Sequence, residues 1–134
     1  SAATASSLIQ VGNYAVNGGV DTGSNYSYTA VQTSGSSAYS YTTPNLTLGY
    51  IGELAAASAS TGVFTPTIVH IMNYSNTSVY KTCLFRTNES YSGVSASVQL
   101  WRSTSAINTI KVYDFSNYSF DTSATFTLYG VKSA

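Results

Sequence analysis

Charge is what this sequence has least of. Lys, Arg, Asp and Glu make up 7% of its 134 residues, where ordinary soluble domains carry about 25%. Five cations balance five anions. A chain with no basic stripe offers little to a phosphate backbone or an anionic bilayer, so neither a nucleic-acid nor a membrane partner is expected. Little charge also means little repulsion between copies, which suits a subunit packed against its like. Cys83 is the single cysteine, so no intrachain disulfide can form. With His70, the single histidine, it falls short of the three or four ligands that zinc takes. No apolar run approaches the roughly 20 residues of a spanning helix. Ser1–Ser7 lacks the basic-then-apolar order of a signal peptide. Helical sequence is scarce too: only Glu53–Ala59 is Ala-rich. It has no amphipathic stripe and is broken by Ser58 and Gly62, so a loop or a single turn is expected there.

What is present argues for a folded β-domain. Hydrophobic residues make up 43% and aromatics 13%, too much for a segment unable to form a core. The length fits one domain over residues 1–134, which buries about two-thirds of its unfolded surface. Short runs rich in Val, Ile, Thr, Tyr and Phe predict strands near Leu8–Val16, Tyr26–Thr33, Ser37–Thr42, Leu46–Gly52, Val63–Met72, Val79–Thr87, Val94–Trp101, Ile107–Asp114 and Ala124–Val131. Turn signals separate them, among them Asn17-Gly18-Gly19, Ser34-Gly35-Ser36 and Asn73–Asn76. The pattern predicts an antiparallel β-sandwich, jelly-roll-like.

Alternation assigns faces. Val94, Ala96, Val98 and Leu100 point one way and are read as core. Ser95, Ser97, Gln99 and Trp101 point the other, a polar face with one large aromatic. Phe126 and Leu128 make a similar inner set against Thr125 and Thr127. Thr67–Met72 is apolar on both faces apart from His70, which predicts a central strand covered on both sides. Pro66 should sit at an edge or bulge, because it cannot donate to a ladder.

Four segments follow one another along the chain: Asp21-Thr22-Gly23-Ser24-Asn25-Tyr26-Ser27-Tyr28-Thr29, Ile71-Met72-Asn73-Tyr74-Ser75-Asn76-Thr77, Gln99-Leu100-Trp101-Arg102-Ser103-Thr104-Ser105-Ala106-Ile107, and Phe126-Thr127-Leu128-Tyr129-Gly130-Val131-Lys132. In this order and spacing the chain resembles a family of bacteriophage virion β-domains, found in tail-fibre-like and other structural proteins of marine and uncultured phages. The resemblance runs from about Asp21 to the C-terminus. It implies a virion-surface or extracellular location and a tail-fibre or surface-decoration role, and it carries over no catalytic residue. Members usually have further strands upstream of the Asp-Thr-Gly turn, which implies either the C-terminal part of a longer protein or a trimmed product.

Residues that carry chemistry elsewhere find no constellation here. Asp21, Glu53 and Glu89 lie in or beside turns, as caps or solvated acids. Asp114 and Asp121 flank one loop and could meet on calcium, but a solvated loop edge is the preferred reading. His70 is read as a strand residue with a satisfied hydrogen bond. Serines abound without a Gly-x-Ser-x-Gly elbow, so no triad is assigned. Cys83 alternates with Phe85 and is read as a buried small hydrophobe. No catalytic, cofactor or metal residue follows, and no enzyme is expected.

Surface contact is the remaining class. Trp101, on the polar side of its strand, is read as a subunit interface, a sugar-stacking platform, or a ring packed under a neighbouring loop. Tyr91 and Tyr118 fall inside loops that share one end of an antiparallel domain, and that end is the candidate for receptor contact. Six Asn-x-Ser/Thr sequons, at Asn25, Asn45, Asn73, Asn76, Asn88 and Asn117, are read as turn chemistry. The expected function is that of a phage structural domain, homo-oligomeric and best read as a trimer, that meets other virion proteins and a host surface glycan by multivalent contact. A capsid or filament subunit without a receptor role, and a carbohydrate-binding module, are the alternatives.

Overall fold

The computed structural model describes residues 9–17, 21, 23–55, 62–89, 93–114, 120 and 122–131. Among these residues there is no helix, and therefore none long and apolar enough to cross a membrane. The fold is all-β. The strands are β1 (Ile9–Val16), β2 (Tyr26–Ser34), β3 (Ser37–Leu46), β4 (Gly49–Ala55), β5 (Thr67–Ile71), β6 (Lys81–Glu89), β7 (Gly93–Trp101) and β8 (Ile110–Asp114). Every pairing is antiparallel. One sheet has five strands in the order β3-β2-β7-β6-β5, the other three in the order β4-β1-β8.

The two sheets meet as a sandwich. Val16 of β1 and Ile51 of β4 pack with Tyr26, Cys83, Phe85 and Trp101 of the larger sheet, and Ile107 closes the cluster. In the smaller sheet β1 lies between β4 and β8, and in the larger β2 lies between β3 and β7.

Local chemistry explains the joints. Gly35 supplies a positive φ of 57° in the two-residue turn between β2 and β3, the kind of position glycine fills without steric cost. Pro44 and Asn45 lie where the β2–β3 register shifts, on the edge strand β3, an arrangement that spares Pro44 from donating to the ladder. In β4 the register against β1 shifts at Ile51, and its carbonyl accepts from Thr87 Oγ1 at 2.9 Å across the sandwich. Gly52 follows with φ 131°, and a Cβ there would meet Thr87 Oγ1 at 2.7 Å, so the close approach of the sheets needs glycine.

Three expectations are corrected. Thr67–Ile71 is an edge strand, not a central one: Ile68 is 57% exposed and Val69 39%. Two apolar faces record the absence of charge here, not cover on both sides. Ala124–Val131 belongs to neither sheet, and its Phe126 and Leu128 are exposed, not inner. A strand-like sequence becomes a strand only when an edge receives it. The third correction concerns the faces of β7. Ser95, Ser97, Gln99 and Trp101 are buried, whereas Val94, Ala96 and Val98 are exposed. Alternation grouped these residues correctly and turned them the wrong way round.

The other expected strands are present with shifted bounds: Leu46 ends β3 and β4 begins at Gly49, β6 begins at Lys81 and β8 at Ile110, and Pro66 lies immediately before edge strand β5. Glu53–Ala55 continues β4; residues 56–59 of the Ala-rich stretch lie outside the described residues.

Candidate functional site

Turning the polar face inward gives the larger sheet two unusual surfaces. On the inner one, register lines up rows of side chains: Tyr28, Gln99, Cys83 and Ile71 form one, and Gln32, Ser95, Thr87 and Thr67 another. Burying such groups costs unless they are bonded. Gln99 solves this with its amide. Tyr50 N–H donates to Gln99 Oε1 at 3.0 Å, and Gln99 Nε2 donates to the Tyr50 carbonyl and to Ser97 Oγ. One side chain thereby pairs with β4 as a backbone would, tying the two sheets together. Lys81, fully buried, donates from Nζ to the carbonyls of Val79 at 2.7 Å and Thr104 at 3.1 Å.

Trp101 sits at the end of this inner face, 2% exposed. Its indole N–H donates to Asp21 Oδ2 at 2.6 Å, in the turn that precedes β2. Asp21 also accepts from Asn25 Nδ2 at 2.9 Å and from the Gly23 N–H at 3.0 Å. Burial pushes the Asp21 carboxyl up, but hydrogen bonds from Asn25, Trp101 and Gly23 outweigh it and hold the group below its ordinary value. Trp101 is therefore packed under a neighbouring loop, and its ring is not available to a partner or a sugar. The turn residue Asp21, read as a cap, is also the anchor of the only tryptophan.

A tyrosine cluster, not singled out in the sequence, lies where β3 extends the inner face. Tyr28 stacks on Tyr50 with centroids 4.9 Å apart, and Tyr39 on Tyr41 at 6.0 Å. Tyr41 Oη donates to Gln32 Oε1 at 2.6 Å. Burial pushes the Tyr41 and Tyr50 hydroxyls up, and Tyr26, whose Oη accepts from the Val16 N–H, up to about 12. Tyr39, at 43%, is the exposed ring of the set. The signal was present as Tyr39 and Tyr41 alternating on one strand, two of twelve tyrosines.

The outer surface of the same sheet is apolar. Register sets Val31 beside Ala96, Ala96 beside Arg86 and Arg86 beside Ile68; the next row runs Thr29, Val98, Leu84 and His70. Val31 is 58% exposed, Val94 52%, Val98 46% and Leu84 42%. A shallow depression of about 410 Å³ opens between Thr29, Val31, Leu84, Ala96 and Val98. The surface can offer contact by burial and little directional bonding.

The other candidates fall apart spatially. His70 is exposed on this outer face, whereas Cys83 is fully buried beside Phe85 in the core, as read. Among the described residues, no group of three or more His, Cys, Asp or Glu converges. The Asp114 side chain and Asp121 lie outside the described residues, as do Tyr91 and Tyr118. Three sequon asparagines serve turns: Asn76 Oδ1 accepts from the N–H of Ser78 and Val79, Asn73 adopts positive φ, and Asn25 holds Asp21; Asn45, also at positive φ, and Asn88 lie in β3 and β6, and Asn117 lies outside the described residues. Compared with protein-family models, curated proteins and solved structures, the chain matches none.

Proposed function

We propose that the chain is a self-associating structural subunit of a bacteriophage particle, a tail-fibre or surface-decoration domain. The observation that carries the reading is the apolar outer face of the five-stranded sheet. Contiguous exposed apolar surface on an almost uncharged domain marks a contact made with another protein. The assignment to a phage particle rests on the family resemblance of residues from Asp21 onward. Light scattering at micromolar concentration tests the reading, with a mass of two or more chains expected. A monomer there overturns it.

A second reading, contact with a host glycan, is favoured by one feature: Tyr39, stacked on Tyr41, stays exposed. Flat aromatic area of this kind suits a sugar ring. Saturable binding on a glycan array, lost at least tenfold in Tyr39→Ala, is the expected result. An array without binding removes the glycan role and leaves the subunit role standing.

A further inference from the structure

Residues 122–131, Thr-Ser-Ala-Thr-Phe-Thr-Leu-Tyr-Gly-Val, carry no charge and have the alternating composition of a strand. Yet among the described residues they join neither sheet. Phe126 is 63% exposed, Leu128 86%, Tyr129 82% and Val131 84%. One contact within the segment's reach is the edge-to-face packing of Phe126 on Phe120 at 5.1 Å. The outer face of the larger sheet exposes Val31, Ile68, Leu84, Val94 and Val98. One chain thus presents an exposed apolar arm and an exposed apolar sheet face.

Resting on the self-association proposed above, we infer that the arm, residues 122–131, of one copy lies across the outer face of the larger sheet of a second copy. Area selects this arrangement. With aromatic side chains covering about 150–250 Å² each, the arm's four large apolar residues expose roughly 500 Å². The five on the sheet face expose roughly 400 Å² on the same scale. Stacking face on face hides only the second amount from each protomer, about half of the ~800 Å² per partner of a stable interface. Exchanging arms hides both, which reaches that size. Charge agrees: the arm brings none, and the face brings only Arg86 and His70 beside Leu84 and Ile68, so little charge must be desolvated. Within one copy the arm does not occupy the face, since its side chains remain over four-fifths exposed from Leu128 to Tyr129.

The experiment uses the full chain and mass against concentration by light scattering. Leu128→Glu on the arm and Val98→Glu on the face should each raise the concentration for half-association at least tenfold. Both positions are exposed. Val98→Thr keeps a β-branched side chain in case the charge disturbs the strand, and should raise it by a smaller factor in the same direction. Mixing Leu128→Glu with Val98→Glu should restore association in part, because an intact arm then meets an intact face. Dissociation by Val98→Glu alone, with Leu128→Glu matching wild type, overturns the arm and leaves self-association in place. So does a loss of thermal stability in Leu128→Glu at concentrations where wild type is monomeric, which would seat the arm on its own copy. A wild-type chain monomeric throughout overturns both proposals.

Discussion

Gln99→Met is expected to lower stability by about 2–6 kcal/mol, read as a fall in the urea midpoint with an unchanged slope. Methionine keeps the volume and unbranched shape of glutamine, so packing changes little. What goes is the double bond to β4. The Tyr50 N–H and carbonyl stay buried, and each loses its partner. An unsatisfied buried backbone group costs about 1–3 kcal/mol, and here there are two. A domain of this size holds about 5–15 kcal/mol in all. The loss is therefore a sizeable share of the whole.

A second substitution separates hydrogen bonding from burial. Gln99→Glu places a carboxyl where the amide was. Protonated, it can accept from the Tyr50 N–H and donate to the Tyr50 carbonyl, as the amide does. Ionised, it cannot donate and sits uncompensated against that carbonyl. Burial and the carbonyl both favour the neutral acid, so the introduced group is held above its unfolded value of about 4.3. A raised carboxyl contributes stability that is whole below the unfolded value and is lost as pH rises through the folded one. The variant should approach wild type below about pH 4 and fall away above it. Equal loss at all pH values would mean that the pairing with Tyr50 is not what holds the sheets.

These predictions turn on a face that hydropathy misassigns, and the reason is physical. Period two shows which residues of β7 share a side, and it did so without error. Which side faces inward is normally marked by charge, since Lys and Glu are rarely buried. With 7% charged residues the outward mark is missing from both sides of β7. Valine and alanine then look like core, and serine and glutamine like surface. The choice is made by partners far away in sequence: Gln99 has Tyr50, Thr87 has Ile51, and Trp101 has Asp21. The strands themselves, the hairpin turn at Gly35 and the burial of Cys83 depend on local chemistry and were legible. β5 and residues 124–131 were misread for the same cause, since apolar sequence without charge on either face does not show how much of it a neighbour covers.

Trp101→Ala should cost about 3–5 kcal/mol, the range for emptying a buried Trp site. The ring packs in the central cluster with Tyr26, Phe85 and Ile107. This outcome opposes the sugar-platform reading of Trp101, which requires the variant to fold like wild type and lose only binding. Because Trp101 is the chain's one tryptophan, its fluorescence reports on this site alone, and emission should be blue-shifted in the native state. Asp21→Asn probes the polar end of the same contact. The Asp21 carboxyl is held below its ordinary value of 3.8, so its contribution is whole above that value and is lost as pH falls through the lower, folded one. Acid titration followed by the Trp101 signal should show wild type ahead of Asp21→Asn above about pH 4, with the two curves converging as pH falls further. A constant gap down to the lowest pH would mean that the ionised carboxylate is not what holds the indole, and that packing alone keeps Trp101 inside.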